Sequence, residues 1–424
     1  MLNRTVAPDF KQVADINFIP PVKKQLANGL PVFIVNAGEQ ELVRIEFIFN
    51  NVNWDVQKPL QAIAVNGLIN TGTAKFNAKQ IAEAVDYYGA FLQTEYSADY
   101  TTITLYSLTK HLPSVLPVIW SILNESIFPE QELAIYKQNQ KQKLQVSLQK
   151  NDYLARKNFA HAIFGDTPYG SDISLESYDK LTREDLLAYY QAAYQASNCT
   201  IIAAGRFDDK SFEVLDRIFG GVWTNQAEFA ANQFEFSTEV GHELYIEKSE
   251  ALQSAIRMGN LSINRTHSDF PSLQILNCVF GGYFGSRLMT NIREDKGYTY
   301  GIGSGVASLK QAGYFFLATE VGADVCSSAL AEIEKEVDLL RTELVSDEEL
   351  DLVRNYMLGS LLGSLENAFS HADKFKNIYF AGLDYNYYDN YIQKVKTITA
   401  EEIKNTAIKY LDWNAMTKVV VGKK

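Results

Sequence analysis

The chain has 424 residues, 46% hydrophobic and 21% charged, the balance of a folded globular protein too long for one ordinary core. Its 39 basic and 51 acidic side chains leave a net charge of −12 without any cluster of Lys and Arg, which excludes a nucleic-acid surface. Three scattered cysteines (Cys199, Cys278, Cys326) make neither a disulfide framework nor a thiolate metal site, and no signal-peptide or membrane-spanning run is seen, so the expected location is cytoplasmic.

In chain order, residues 29–35 and 43–49 read as two strands joined by a Gly38-Glu39 turn, the second alternating apolar and polar as a half-buried strand does. Residues 78–88 set Ile81, Ala82, Val85 and Tyr88 on one helical face, and residues 100–105, β-branched and aromatic, predict a strand. Residues 130–149 predict a long Lys/Gln-rich helix with a solvated face. A helix then opens at Thr182, runs to Tyr194 and gives way to an apolar strand ending at Gly205. The polar stretch 225–240 reads as a linker, after which the pattern returns. Residues 243–247 and 254–259 repeat the opening strands, and Ser346 to Glu349 has the spacing of a capping box. A last helix opens at Thr399 and gives way to a strand ending at Gly422.

Thr182 and Thr399 stand 217 positions apart, and each lies three residues before an acid (Asp185, Glu402) that suits the positive end of a helix. Gly205 and Gly422 stand at the same 217-residue offset. The chain is therefore a duplicated α+β protein, with a first domain over residues 1–224, a linker over 225–240 and a second domain over 241–424. Residues 378–388 form an aromatic cluster suited to core or interface packing. Residues 301–305 (GIGSG) fit either a hinge or a twisted strand.

The densest local signal is residues 281–300, GGYFGSRLMTNIREDKGYTY. It is no phosphate loop, because neither a Gly-Lys-Ser/Thr ending nor a clear preceding strand is present. Gly281-Gly282 followed by Ser286-Arg287-Leu288, then Arg293-Glu294 and Lys296-Gly297 with Tyr300, resembles the second domain of pitrilysin-type zinc peptidases, the family of the mitochondrial processing peptidase and its bacterial homologues. Thr71-Gly72-Thr73, Tyr88-Gly89-Ala90, residues 95–101, Thr167-Pro168-Tyr169-Gly170 and residues 198–205 resemble the first domain, so the likeness runs in order over nearly the whole chain.

The resemblance implies two homologous domains, each a mixed, mainly antiparallel sheet with helices on one face, and a peptide-cutting chamber formed by two such proteins. It also implies a zinc site built on His-x-x-Glu-His with a distant Glu as third ligand. Here Ile63, Asn66 and Gly67 occupy the positions of His, Glu and His, and residues 133–151, which should carry the third ligand, contain no Asp or Glu. The five histidines are scattered, and His242 and His371, which have acids nearby, read as surface side chains. No metal or other cofactor is expected in this chain; zinc is expected on a partner.

Arg293 and Tyr300 keep the seven-residue spacing that the family uses for a pair facing the metal in trans. A guanidinium and a phenol there can stabilise the oxyanion of peptide hydrolysis and orient the peptide. Glu95, Tyr96, Ser97 and Ala98 resemble the family's edge strand, which holds substrate as an added β-strand. The expected function is that of a non-catalytic subunit, inactive alone, of a heterodimeric zinc endopeptidase. Its partner would be a homologous His-x-x-Glu-His chain and its substrates unfolded peptides, with homodimerisation possible in isolation. The alternative is a metal-free structural or peptide-binding scaffold of the same family.

Overall fold

The computed structural model describes residues 15–237 and 240–423. The N-terminal stretch through residue 14, where a leader was sought, and residues 238–239 of the expected linker lie outside the described residues.

Two sheets repeat one topology. The first comprises β1 (Val22–Gln25), β2 (Pro31–Asn36), β3 (Leu42–Asn50), β4 (Phe91–Tyr96), β5 (Tyr100–Leu108) and β6 (Cys199–Gly205), in the order β1-β2-β6-β3-β5-β4. The second comprises β7 (Glu243–Glu247), β8 (Gln253–Ser262), β9 (Thr299–Ser308), β10 (Gly313–Gly322) and β11 (Thr417–Gly422), in the order β7-β11-β8-β10-β9. Both sheets are mixed and mainly antiparallel: β6 runs parallel to β2, β11 runs parallel to β7, and every other pairing is antiparallel.

The strands on either side of Gly38-Glu39 are thus not neighbours, because the distant β6 lies between them. Both late strands end at a glycine for a steric reason. Gly205 and Gly422 have φ of +104° and +141°, and a Cβ would run into the Leu42 carbonyl at the first and into Ser254 at the second.

One face of the first sheet carries Val32, Ile34, Ile45, Phe47, Ile103 and Ile201 into a core shared with the helices of its own half. The other face is covered from the opposite half. Phe33, Val35, Ile48 and Ile202 pack against Ala368, Ala372 and Phe375 of the helix Ala368–Tyr379. The second sheet is treated reciprocally: Ala255, Val419 and Val421 meet Ala155, Phe159 and Ile163 of the helix Asn151–Phe164. Covered on both faces, β3 is buried along its centre rather than half-buried. Its alternating polar residues Arg44 and Glu46 are buried too, and they pair with each other and with charged groups of the visiting helix, although Arg44 Nε and Glu46 Oε2 keep no hydrogen bond. Arg44 pairs with Asp373 at 2.7 Å and Glu46 at 3.0 Å, while Lys376 reaches Glu46 at 2.6 Å.

The same packing corrects the reading of His371. It lies on the visiting helix, 6% exposed, and its Nδ1 accepts the Ile19 N–H at 3.2 Å. His242 is exposed. The segment expected as a linker is anchored where it is described. Ala231 bridges to Val52, the Asn232 side chain accepts from the Trp54 N–H, and the Gln311 amide donates to the Asn232 carbonyl.

Candidate functional site

The segment 278–300 joins the helix Phe270–Asn277 to β9 through two wide π-helical turns, Cys278–Gly282 and Met289–Asp295. Its glycines serve close packing: a Cβ on Gly281 would stand 2.6 Å from Ser304 Oγ and 2.8 Å from Leu288. Long-range polar bonds pin the segment. Arg287 forms a two-pronged pair with Glu349, both bonds 2.8 Å, and the Asn291 amide donates to Glu336 at 2.7 Å. Gly297, at φ +66°, turns the chain into β9.

The arrangement brings Arg293 and Tyr300 together. The Arg293 guanidinium lies 4.6 Å from the Phe284 ring centre and 5.9 Å from that of Tyr300, with its nearest carboxylate, Glu294, at 3.8 Å. Tyr300 is 93% exposed. Its exposure has a local cause: the β9–β10 register slips between Ile302 and Thr299 opposite Thr319 and Val321, leaving an extra residue at Tyr300-Gly301. Such a bulge re-aims a side chain. The backbone groups it frees are satisfied by hydroxyls, since Thr319 Oγ1 donates to the Gly301 carbonyl at 3.0 Å and Thr299 Oγ1 accepts its N–H at 3.1 Å. The GIGSG run is therefore strand with a bulge at its start. Phe284, which carries the guanidinium, was not singled out from the sequence; its position within the block 281–300 was the only signal.

Glu95 and Tyr96 end β4, the edge strand of the first sheet, whereas Ser97 and Ala98 lie beyond it in a turn. Both turn carbonyls already accept from the Asn51 amide, at 2.7 and 3.0 Å. A peptide added to this edge must therefore pair along residues 91–96. Tyr96 is pushed up to about 12, by burial first and then by nearby Asp99. Glu95 and Tyr96 also border a cavity of about 490 Å³ whose far wall, including Lys310, Lys376 and Phe380, belongs to the second half. β4 and β9 hold equivalent edge positions, so the Arg/Tyr pair and the residues of the expected peptide edge lie on different sheets.

Ile63, Asn66 and Gly67 fall on the helix Gln61–Leu68. Asn66 is buried with its side-chain nitrogen unpartnered, and Gly67 faces the ring of Tyr136, which a Cβ would approach to 3.0 Å. Tyr136 comes from the helix Glu130–Ser147, the one that lacks the third ligand. The residues present do not fit zinc: an aliphatic chain, an amide and a glycine under a tyrosine ring offer no set of ligands. Among the described residues no group of three or more His, Cys, Asp or Glu side chains could hold a metal ion, and no helix is long and apolar enough to cross a membrane.

Two sheets of one topology, a helix Gln61–Leu68 without metal ligands, and an exposed Tyr300 beside the partly buried Arg293 define a duplicated peptidase fold without a metal centre. The chain belongs to peptidase family M16: residues 64–175 match the family description "Insulinase (Peptidase family M16)" and residues 180–357 match "Peptidase M16 inactive domain". It is 25% identical over 413 residues to an uncharacterized zinc protease of Rickettsia felis, covering 94% of this chain and 96% of that one. It is 23% identical to the non-peptidase homolog YmxG of Helicobacter pylori, over 84% of this chain and 83% of that one. Among solved structures it resembles the peptidase M16 inactive domain from Pseudomonas fluorescens, with a TM-score of 0.86, 22% identity and coverage of 95% and 98%.

Proposed function

We propose that this chain is the non-catalytic subunit of a heterodimeric zinc endopeptidase, contributing Arg293 and Tyr300 in trans to a homologous chain that carries His-x-x-Glu-His. The observation that carries this reading is the bulge: β9 gives up regular pairing at Tyr300-Gly301, and an exposed phenol stands beside a guanidinium whose one ion pair, to its chain neighbour Glu294, is long at 3.8 Å. Two donors displayed so, with nothing of their own to act on, suit an oxyanion that forms on the partner's side of a shared chamber. The edge of β4 would hold unfolded peptide by strand addition. The expected compartment is the cytoplasm.

The test is cleavage of an unfolded peptide by a mixture of this chain and such a partner. The mixture is expected to outpace the partner alone, and Arg293→Ala or Tyr300→Phe to lower its rate about a hundredfold, the scale of losing one oxyanion donor. A mixture no faster than the partner alone removes the subunit reading. Stimulation that survives both substitutions leaves a structural or peptide-binding scaffold, whose activity would rest on chamber walls alone.

A further inference from the structure

The helices Asp347–Gly363, Ala368–Tyr379 and Asn386–Thr397, with the helix Phe270–Asn277, line an open cavity of about 380 Å³ that the peptidase reading does not use. Its volume is that of a small-molecule site. Arg265 and Lys374 line it, and no Asp or Glu does, in a chain whose net charge is −12. Arg265 is fixed in place, with Nε on Ser308 Oγ at 3.1 Å and Nη1 on the Asn377 carbonyl at 3.0 Å, which leaves Nη2 uncommitted. Lys374 is half-buried, yet among the described residues its ammonium has neither a hydrogen bond nor an ion pair. Burial, and then the charge of Arg265, hold its pKa below the ordinary lysine value despite nearby Asp373. Asp373 is itself committed to Arg44. The Cys278 thiol on the wall is pushed up to about 12 by burial and stays neutral.

Two cations drawn partly out of water, with the one nearby carboxylate already held by Arg44, are costly and gain from an anion that joins them. The rest of the wall includes Ser360, Met357 and the aromatic side chains of Tyr387 and Tyr391. We infer that this cavity binds a small organic oxyanion, a carboxylate or a phosphate monoester on a flat apolar body, with Arg265 and Lys374 holding the charged end. The site is independent of Arg293 and Tyr300.

Titration calorimetry of the full chain with benzoate, phenyl phosphate and neutral benzamide tests it. At least one anion is expected to bind one-to-one, about tenfold or more tighter than benzamide, and the tighter of the two identifies the headgroup. Lys374→Met, which breaks no protein hydrogen bond, is expected to keep the parent's thermal melt and to weaken that anion about tenfold, whereas Lys79→Met on the far half leaves it unchanged. Failure of both anions to bind, equal binding of benzamide, or equal effects of the two lysine substitutions overturns the proposal.

Discussion

Gly67 lies under the ring of Tyr136, which a Cβ would approach to 3.0 Å, so an imidazole there requires the ring to shift, and the helix that carries Tyr136 offers no acid over residues 133–147 as a third ligand. The triple variant Ile63→His, Asn66→Glu, Gly67→His is expected to take up no stoichiometric zinc on metal analysis. It should also lose about 1–3 kcal/mol of stability to overpacking against Tyr136. His371 makes a different prediction. Its Nδ1 must be unprotonated to accept the Ile19 N–H, and burial holds its pKa below 6.5. A depressed pKa in the folded state means that the contribution is complete above pH 6.5 and is eroded as the pH falls from there through the folded value. Urea midpoints at about pH 7.5 and about pH 5.5 are expected to differ less in His371→Gln than in the parent.

At the scale of elements, local signals were legible and distant ones were not. Thr182 with Asp185, and Thr399 with Glu402, form the reciprocal capping boxes that their spacing predicts, since both partners sit within one turn. Ser346 caps its helix as expected, accepting the Glu349 N–H at 3.2 Å, but the return bond is missing because Arg287, 62 residues away, has claimed the Glu349 carboxylate. Thr182→Ala and Thr399→Ala are therefore expected to cost about 1 kcal/mol each. Glu349→Ala should cost more, because it strands a half-buried guanidinium; urea denaturation compares the three. The Arg293–Tyr300 pairing followed from the resemblance of the block 281–300 to the family, since spacing alone favours a local ion pair and strand packing, whereas the bulge at Tyr300-Gly301 depends on the register with β10. The burial of Arg44 with Glu46, and of His371, could not be read locally, because the helix that carries His371 packs on β3 from over 300 residues away. The amides of residues 225–237 looked like linker composition for the same reason: their partners, such as Trp54 and Gln311, are remote in sequence.

For the whole molecule, the exchange of helices joins the two halves more firmly than a linker could. Separating the chain into residues 1–224 and 241–424 leaves each sheet with one apolar face uncovered, against Phe33 and Ile48 in one half and Val419 and Val421 in the other. Each fragment expressed alone is expected to aggregate, whereas co-expression restores a complex that elutes from size exclusion with the intact chain.

Asn151 and Ala368, which open the two traded helices, stand at the same 217-residue interval as the capping threonines. A polypeptide holding a single such module could shelter its own sheet only by embracing a second copy and lending it that arm. Gene doubling would turn that embrace into a covalent one, after which each copy is free to diverge without losing its shelter.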